Sequence, residues 1–277
     1  MLRILSHCHP APKGLFERLS PGTGLDGTAE ELARCARELG FDRAVALAPD
    51  LLEDDPDYGV PADPNGWLAQ EVAKPACAGV LIPFMRLYPH RDFGACIREM
   101  EDYAARGFAG IKIHPEIQRM DISDPGLDAF FAAAERLGLP VLTHTGILRG
   151  RFPLSQYEPR LFEPYVRCHP GLVLIMAHAG GAPYFRQVLA LMQSYPNVYA
   201  ELTCTLTPGS WWYIPPHELY LVRDVGLRGR LIYGADWPFG GSTHVRQDLA
   251  ALESLALPDE EKEGILGGAI ARILKLA

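Results

Sequence analysis

The sequence lacks the features that mark membrane proteins and nucleic-acid-binding proteins. It contains no apolar run of membrane-spanning length and no basic tract. Its formal net charge is -8 and its pI is about 5.6, so phosphate backbones and anionic lipids are poor electrostatic partners. We therefore expect a small molecule as the partner, and neither nucleic acid nor a membrane.

The sequence also lacks C-x-x-C pairs, although it contains six cysteines. Scattered cysteines in a chain of this length are typical of reduced and mostly buried thiols. The opening residues MLRILSHCHP have neither the apolar core nor the small-residue cleavage site of a signal peptide. Both observations indicate a cytoplasmic protein.

Eight short apolar segments alternate with amphipathic segments along the 277 residues. The apolar segments are dense in Val, Ile and Leu, as in strands that are buried on both faces. Alternation of this kind predicts parallel βα units, and eight units predict an α/β fold, a (β/α)8 TIM barrel, as a single domain over residues 1–277. An open doubly wound sheet is the alternative, but no glycine-rich phosphate loop follows the first segment. The predicted strands are 2–7, 43–48, 78–84, 110–114, 140–146, 172–178, 198–203 and 230–236.

Two helices carry recognisable start signals. Thr28 is predicted to cap a helix that ends at Gly40. Asp124 is predicted to cap the helix over 124–138, with Pro125 at its first position.

Polar side chains stand at the carboxyl ends of five predicted strands, where a barrel has its active site. Buried charges need partners, so groups that converge on one mouth indicate a common counter-ion. Imidazole and carboxylate together suit Zn²⁺ or a similar divalent metal. The residues at these strand ends are His7 and His9, Lys112 and His114, His144, His178, and Asp236.

Each of these residues also has an ordinary explanation. On a strand, His7 and His9 would point to one side and Cys8 to the other, but a single H-x-H pair can arise by chance. A single histidine at a strand end is more often a hydrogen-bonded structural residue. Lys112 could pair with an acid, and Asp236 could cap a turn. Their joint placement favours a metal site.

Five motifs, in this order, resemble the amidohydrolase superfamily: HCHP, GIKIHP, PVLTHTG, MAHAGG and YGADWPFG. The resemblance covers essentially the whole chain. It is greatest to the amidohydrolase-related branch, which holds hydrolases and decarboxylases of the aminocarboxymuconate-semialdehyde type. It implies a metal-dependent (β/α)8 barrel, usually with zinc.

The resemblance also implies roles for single residues. His7, His9 and His144 would be metal ligands, and Asp236 would be a ligand, the base that accepts a proton from water, or both. His178 would bind a second metal in binuclear members, or act as a free acid, base or carbonyl-polarising group in members with one metal.

Two further residues have implied roles at the same mouth. Lys112 occupies the place where some members carry a carboxylated lysine that bridges two metals, although the favoured branch usually uses one metal. His114 would then be a substrate-binding residue that faces the same side as Lys112.

The implied activity is a metal-dependent hydrolase that cleaves an amide, ester or lactone bond through a metal-activated water. Its substrate would be small and either cyclic or carboxylate-bearing. A decarboxylase of the same superfamily is the alternative, but the chain is short for the decarboxylases, which favours a hydrolase. A barrel that has lost function is the third possibility, and the complete ligand set argues against it. A homo-oligomer remains a possible form of the protein.

Substrate recognition is expected from the loops after the strands. Arg86, Arg149 and Arg151 could each hold a substrate carboxylate with two hydrogen bonds. The aromatic residues at 211–213 and Trp237 could wall an apolar pocket. The other histidines are expected on the surface or in loops, namely His90, His169, His217 and His244.

Overall fold

The computed structural model describes residues 1–19, 24–49, 60–89, 92–148 and 153–276. Nine parallel strands form one sheet in the order β8-β7-β6-β5-β4-β3-β2-β1-β9, which makes a nearly closed barrel with helices between the strands. The predicted TIM barrel is confirmed. The strands are β1 (Ile4–Cys8), β2 (Arg43–Leu47), β3 (Leu81–Arg86), β4 (Gly110–Ile113), β5 (Val141–His144), β6 (Leu174–Ala177), β7 (Val198–Glu201), β8 (Leu231–Ile232) and β9 (Gly234–Trp237).

The eighth predicted strand is divided in two. β8 pairs with β7, and β9 pairs with β1, so the two pieces connect both edges of the sheet. Tyr233 separates them because its backbone N–H donates to the carbonyl of Ile265 at 2.8 Å instead of to a strand. The sequence predicted one strand here because both pieces lie within a single apolar run.

Helices connect successive strands. Thr28 caps the second helix as predicted, since its hydroxyl accepts from the backbone N–H of Glu31 at 3.3 Å. The predicted helix start at Asp124 is wrong. Its carboxylate accepts from the N–H of Gly126 at 2.8 Å, which holds a turn before the helix. The helices are α1 (Leu15–Leu19), α2 (Ala29–Glu38), α3 (Pro64–Val72), α4 (Phe93–Ala105), α5 (Leu127–Leu137), α6 (Glu163–Cys168), α7 (Gly181–Ser194), α8 (Pro216–Asp224), α9 (Gly241–Ser254), α10 (Asp259–Glu263) and α11 (Ala269–Ile273).

The core has two parts. The larger part packs the outer faces of the strands against the helices, and the smaller part fills the barrel interior. Ile4, at the start of β1, belongs to the interior part together with Ile270 of α11. Because α11 packs at the amino ends of the strands, the carboxyl ends remain available for a cavity.

The cysteines and the helix lengths bear on two expectations from the composition. All six cysteines are free, and four of them are buried. Across the described ranges, every helix is too short or too polar to cross a membrane.

One glycine in the C-terminal segment gives a test of the packing. A Cβ on Gly267 would overlap the carbonyl oxygen of Leu2 and lie 2.7 Å from the Cα of Arg3. These are backbone atoms, so no side-chain rotation relieves the clash. We expect Gly267→Ala to lower the free energy of unfolding by about 1–3 kcal/mol, measured by chemical denaturation.

Gly264 is the matched control because it lies in the same π-helical turn, Gly264–Gly268. A Cβ there would meet nothing within 4 Å. Gly264→Ala should leave stability unchanged or raise it slightly, since alanine favours helical backbone. Equal destabilisation by both substitutions would contradict this packing.

Candidate active site

A cavity of about 680 Å³ lies at the carboxyl ends of the strands. Its lining combines ionisable side chains at the base with Trp211, Trp212 and Phe239 around them. Seven of the residues that the sequence placed at strand ends meet there. They are His7, His9, Lys112, His114, His144, His178 and Asp236.

Three of these residues form a compact donor cluster. His9 Nε2 lies 3.2 Å from Asp236 Oδ1, and His7 Nε2 lies 3.7 Å from the same oxygen. One ligand atom from each residue lies within 4.8 Å of the other two. Two imidazoles and one carboxylate at this spacing fit a divalent metal.

The pairing of β1 with β9 creates this cluster. The register of β1 shifts between Ser6 and Cys8, and Cys8 pairs with Trp237. His7 and Asp236 both have left-handed backbone, with φ of 58° and 52°, which is uncommon for residues other than glycine. The irregular backbone turns both side chains into the mouth, while Cys8 packs in the core on the other side.

A second group of histidine rings lies beside the cluster. His114 and His144 stack with centroids 3.9 Å apart, and His144 meets His178 at 4.6 Å. However, His144 Nε2 contacts the carbonyl oxygen of Gly146 at 2.7 Å. The structure therefore brings His144 and His178 to the site but outside the compact donor cluster.

Trp212 covers this second group. The centroid of its ring lies 3.9 Å from the ring centroid of His178 and 5.5 Å from that of His144. A Cβ on Gly146 would overlap the indole, and one on Gly181 would lie 2.8 Å from it. Two positions without side chains thus make room for the aromatic wall, which lies where the sequence suggested.

Lys112 is 1 % exposed, and its Nζ lies 3.0 Å from His7 Nε2. The lysine therefore contacts the same nitrogen that faces Asp236. Carboxylation of Lys112 stays a prediction.

Burial and neighbouring charges set the protonation of the site. Burial lowers the pKa of His7, His114 and His144 well below the usual value, and it lowers the pKa of His178 to about 3. Burial alone would raise the pKa of Asp236, but the hydrogen bond with His9 and the nearby histidines outweigh it and lower that pKa. These shifts favour neutral imidazoles at His7, His114, His144 and His178 beside an ionised Asp236 carboxylate.

Two predicted substrate-binding residues do not line the cavity. Arg86 donates to the carbonyl of Pro49 at 2.5 Å and lies over the ring of Tyr88. Trp237 is fully buried in the core beside β1. Arg86 is the last residue of β3 and Trp237 is the last residue of β9, and neither side chain lines the cavity.

Three other predictions fall on residues outside the described ranges, namely Arg149, Arg151 and His90. His244 was expected on the surface or in a loop, but it lies on α9 and lines the cavity. The buried carboxylate of Asp248 lies 3.4 Å from His244 Nε2. The helical spacing of four residues that joins the pair is visible in the sequence, but the burial of Asp248 is not.

Glu201 is the main site residue that the sequence analysis missed. It is fully buried at the end of β7, and its Oε2 lies 3.0 Å from His7 Nδ1. The available signal was an acidic residue inside the predicted apolar strand VYAELT, since a carboxylate there requires partners.

A family model described as amidohydrolase matches residues 4–276. The chain belongs to the amidohydrolase family. This amidohydrolase is thus an enzyme of a metal-dependent superfamily, and His7, His9 and Asp236 form its candidate metal site.

Solved structures share the fold of this amidohydrolase. An uncharacterized TIM-barrel protein from Bordetella bronchiseptica is 17% identical, with a TM-score of 0.77 and 99% of each chain covered. A probable 2-pyrone-4,6-dicarboxylic acid hydrolase from Acinetobacter baumannii is 14% identical, with a TM-score of 0.69, and 99% of this chain and 100% of that chain are covered. A dihydroxybenzoic acid decarboxylase from a Polaromonas species, with bound manganese and the inhibitor 2-nitroresorcinol, is 16% identical, with a TM-score of 0.71 and coverage of 99% and 97%.

The donor cluster leads to a metal-binding prediction. His9→Ala removes one donor that is 13% exposed and leaves the buried core intact. Loss of a residue that only supports a ligand usually weakens metal binding by about 10- to 100-fold. Because His9 is itself a candidate ligand, we expect a larger loss of metal affinity in His9→Ala. Elemental analysis and titration against a chromogenic chelator measure this.

His217→Ala is the control because His217 is 77% exposed and does not line the cavity. It should keep full metal content. Unchanged metal content in His9→Ala would remove His9 from the ligand set.

Proposed function

We propose that this amidohydrolase is a metal-dependent hydrolase of a small cyclic substrate, in which it cleaves an amide, ester or lactone bond. His7, His9 and Asp236 would hold the metal. His144 would be a further ligand only through Nδ1, since its Nε2 contacts the carbonyl oxygen of Gly146. Zinc is the first choice because nitrogen and carboxylate donors suit it, and the manganese in a structural neighbour makes manganese the second.

A divalent metal at this position would lower the pKa of water and polarise a carbonyl oxygen. The protein supplies the groups that move protons. Asp236 can accept the proton of the attacking water and return it to the leaving group.

The contact between His178 and Thr203 is the observation that most favours hydrolysis over decarboxylation. His178 Nδ1 lies 3.0 Å from the backbone oxygen of Thr203. A carbonyl oxygen only accepts, so Nδ1 must carry the hydrogen, and Nε2 of the neutral ring is left with a lone pair. His178 therefore presents a hydrogen-bond acceptor to the cavity and not a carbonyl-polarising donor. His178 and Asp236 can both accept hydrogen bonds from an attacking water and orient it.

The aromatic part of the cavity lining supports a cyclic substrate. Trp211, Trp212 and Phe239 offer flat apolar faces against which a ring can pack. Within the described part of the chain, no arginine lines the cavity, and Lys112 there contacts His7.

Decarboxylation is the second candidate, because a ring fits the cavity and the Polaromonas neighbour is a decarboxylase of a dihydroxybenzoic acid. That reaction places a proton on the carbon that loses CO₂. It therefore needs a proton donor at the place where His178 offers an acceptor.

Isotope labelling distinguishes the two reactions. The metal-loaded enzyme is incubated with a panel of lactones, aryl esters and 2-pyrone-4,6-dicarboxylate, and separately with 2,6-dihydroxybenzoate. Hydrolysis in H₂¹⁸O places one ¹⁸O atom in the acid product, which is the expected result. Release of CO₂ with deuterium from D₂O on the ring carbon, and no ¹⁸O in the product, would assign the decarboxylase instead.

Asp236→Asn tests the proton-transfer role. The amide keeps the shape of the side chain but accepts a proton poorly, so turnover should fall by about 10²- to 10⁴-fold, more than metal content falls. Asp128→Asn is the control, since Asp128 is an exposed residue that pairs with His169. Unchanged turnover in Asp236→Asn would exclude Asp236 as the proton acceptor.

A further inference from the structure

Glu201 places a carboxylate in one of the most buried positions of the barrel. An ionised carboxylate is strongly disfavoured there unless hydrogen-bond donors surround it. Glu201 Oε1 accepts from the backbone N–H of Thr203 at 3.0 Å and from the Thr203 hydroxyl, while Oε2 faces His7 Nδ1 at 3.0 Å. Two of these partners come from its own strand end, and the third is a candidate metal ligand on β1.

The neighbouring strand is shaped to admit this carboxylate. Gly234 is the first residue of β9. A Cβ at that position would overlap Glu201 Oε1 and the Thr203 hydroxyl. Its φ is not in the left-handed region, so the backbone conformation does not require glycine. The space that glycine leaves is therefore what the Glu201 carboxylate occupies.

Two contacts on opposite edges of the His7 ring agree on its tautomer. Nδ1 faces Glu201 Oε2, and an ionised carboxyl group at that position accepts its hydrogen. The Lys112 ammonium can only donate, so Nε2 must accept at 3.0 Å. Nε2 is also the nitrogen that lies 3.7 Å from Asp236 in the donor cluster.

We propose that Glu201 is a positioning residue that holds His7 with its hydrogen on Nδ1 and thereby keeps the Nε2 lone pair directed at the metal. This inference rests on the proposed metal-dependent function. The partner of a ligating imidazole fixes its orientation and raises its basicity, and loss of such a partner typically weakens metal binding by 10- to 100-fold.

Glu201→Gln is the test variant because it keeps the shape and removes the negative charge. Zinc and manganese affinity are measured by competition with a chromogenic chelator. We expect about a 10- to 100-fold loss of affinity. The rise in Tm on adding metal should shrink to match, because ligand-induced stabilisation follows the dissociation constant.

Asp248→Asn is the matched control. Asp248 is also fully buried, but its carboxylate is bound by the Thr207 hydroxyl at 2.5 Å and lies outside the donor cluster. If Glu201 only supported folding, both variants would lose stability in the absence of metal, and both would keep the affinity of the unmodified protein. Equal metal affinity in Glu201→Gln and the unmodified protein would overturn the proposal.

The tautomer can be read without any variant of Glu201. Long-range ¹H–¹⁵N spectra of the metal-free protein with labelled histidine should show His7 protonated at Nδ1, with the signal assigned by its loss in His7→Gln. Protonation at Nε2 would overturn the proposal even if Glu201→Gln failed to fold. An unmodified protein that binds neither metal would instead overturn the proposed function, and the spectra would still decide the role of Glu201.

Discussion

The pairing of β1 with β9 is the constraint on which the site depends. It closes the barrel, and its register shift turns His7 and His9 towards Asp236. The left-handed backbone at His7 and Asp236 is unfavourable in isolation, so the surrounding strands must stabilise it. The same pairing places Cys8 and Trp237 in the core, which anchors the strained segment on its other side. The same strand pairing therefore joins the edge of the sheet and brings the three donor side chains together.

Burial then decides the chemistry of the side chains that closure brings together. Imidazoles that are buried stay neutral and keep a lone pair, as the lowered pKa values of His7 and His178 indicate. Each also donates one ring N–H to a fixed acceptor, Glu201 for His7 and the Thr203 carbonyl for His178. Glu201 at the end of β7 and Thr203 just after it therefore supply both acceptors that orient the rings, although neither residue belongs to the donor cluster itself. The proposed metal site and the hydrogen-bond acceptor at His178 share this support.

The sequence predicted the parts of the molecule that depend on local pattern. Alternating apolar and amphipathic segments were sufficient for the barrel, and polar residues at strand ends were sufficient to find His9 and Asp236. The division of the eighth strand at Tyr233 was missed because it depends on a hydrogen bond to a segment over thirty residues away. The placement of Arg86 was also missed, because the predicted third strand ended at residue 84, whereas β3 continues to Arg86. Glu201 was missed because its partner His7 lies on β1, far away in the sequence, and the only signal was an acidic residue within an apolar segment.

The most direct test of this account is a crystal structure of the protein grown with zinc or manganese, with diffraction data collected at the absorption edge of the metal. The account predicts an anomalous peak bonded to His7, His9 and Asp236, with His7 coordinating through Nε2 and Glu201 retained on Nδ1. Metal bound only at surface sites, with these three side chains uncoordinated, would contradict it.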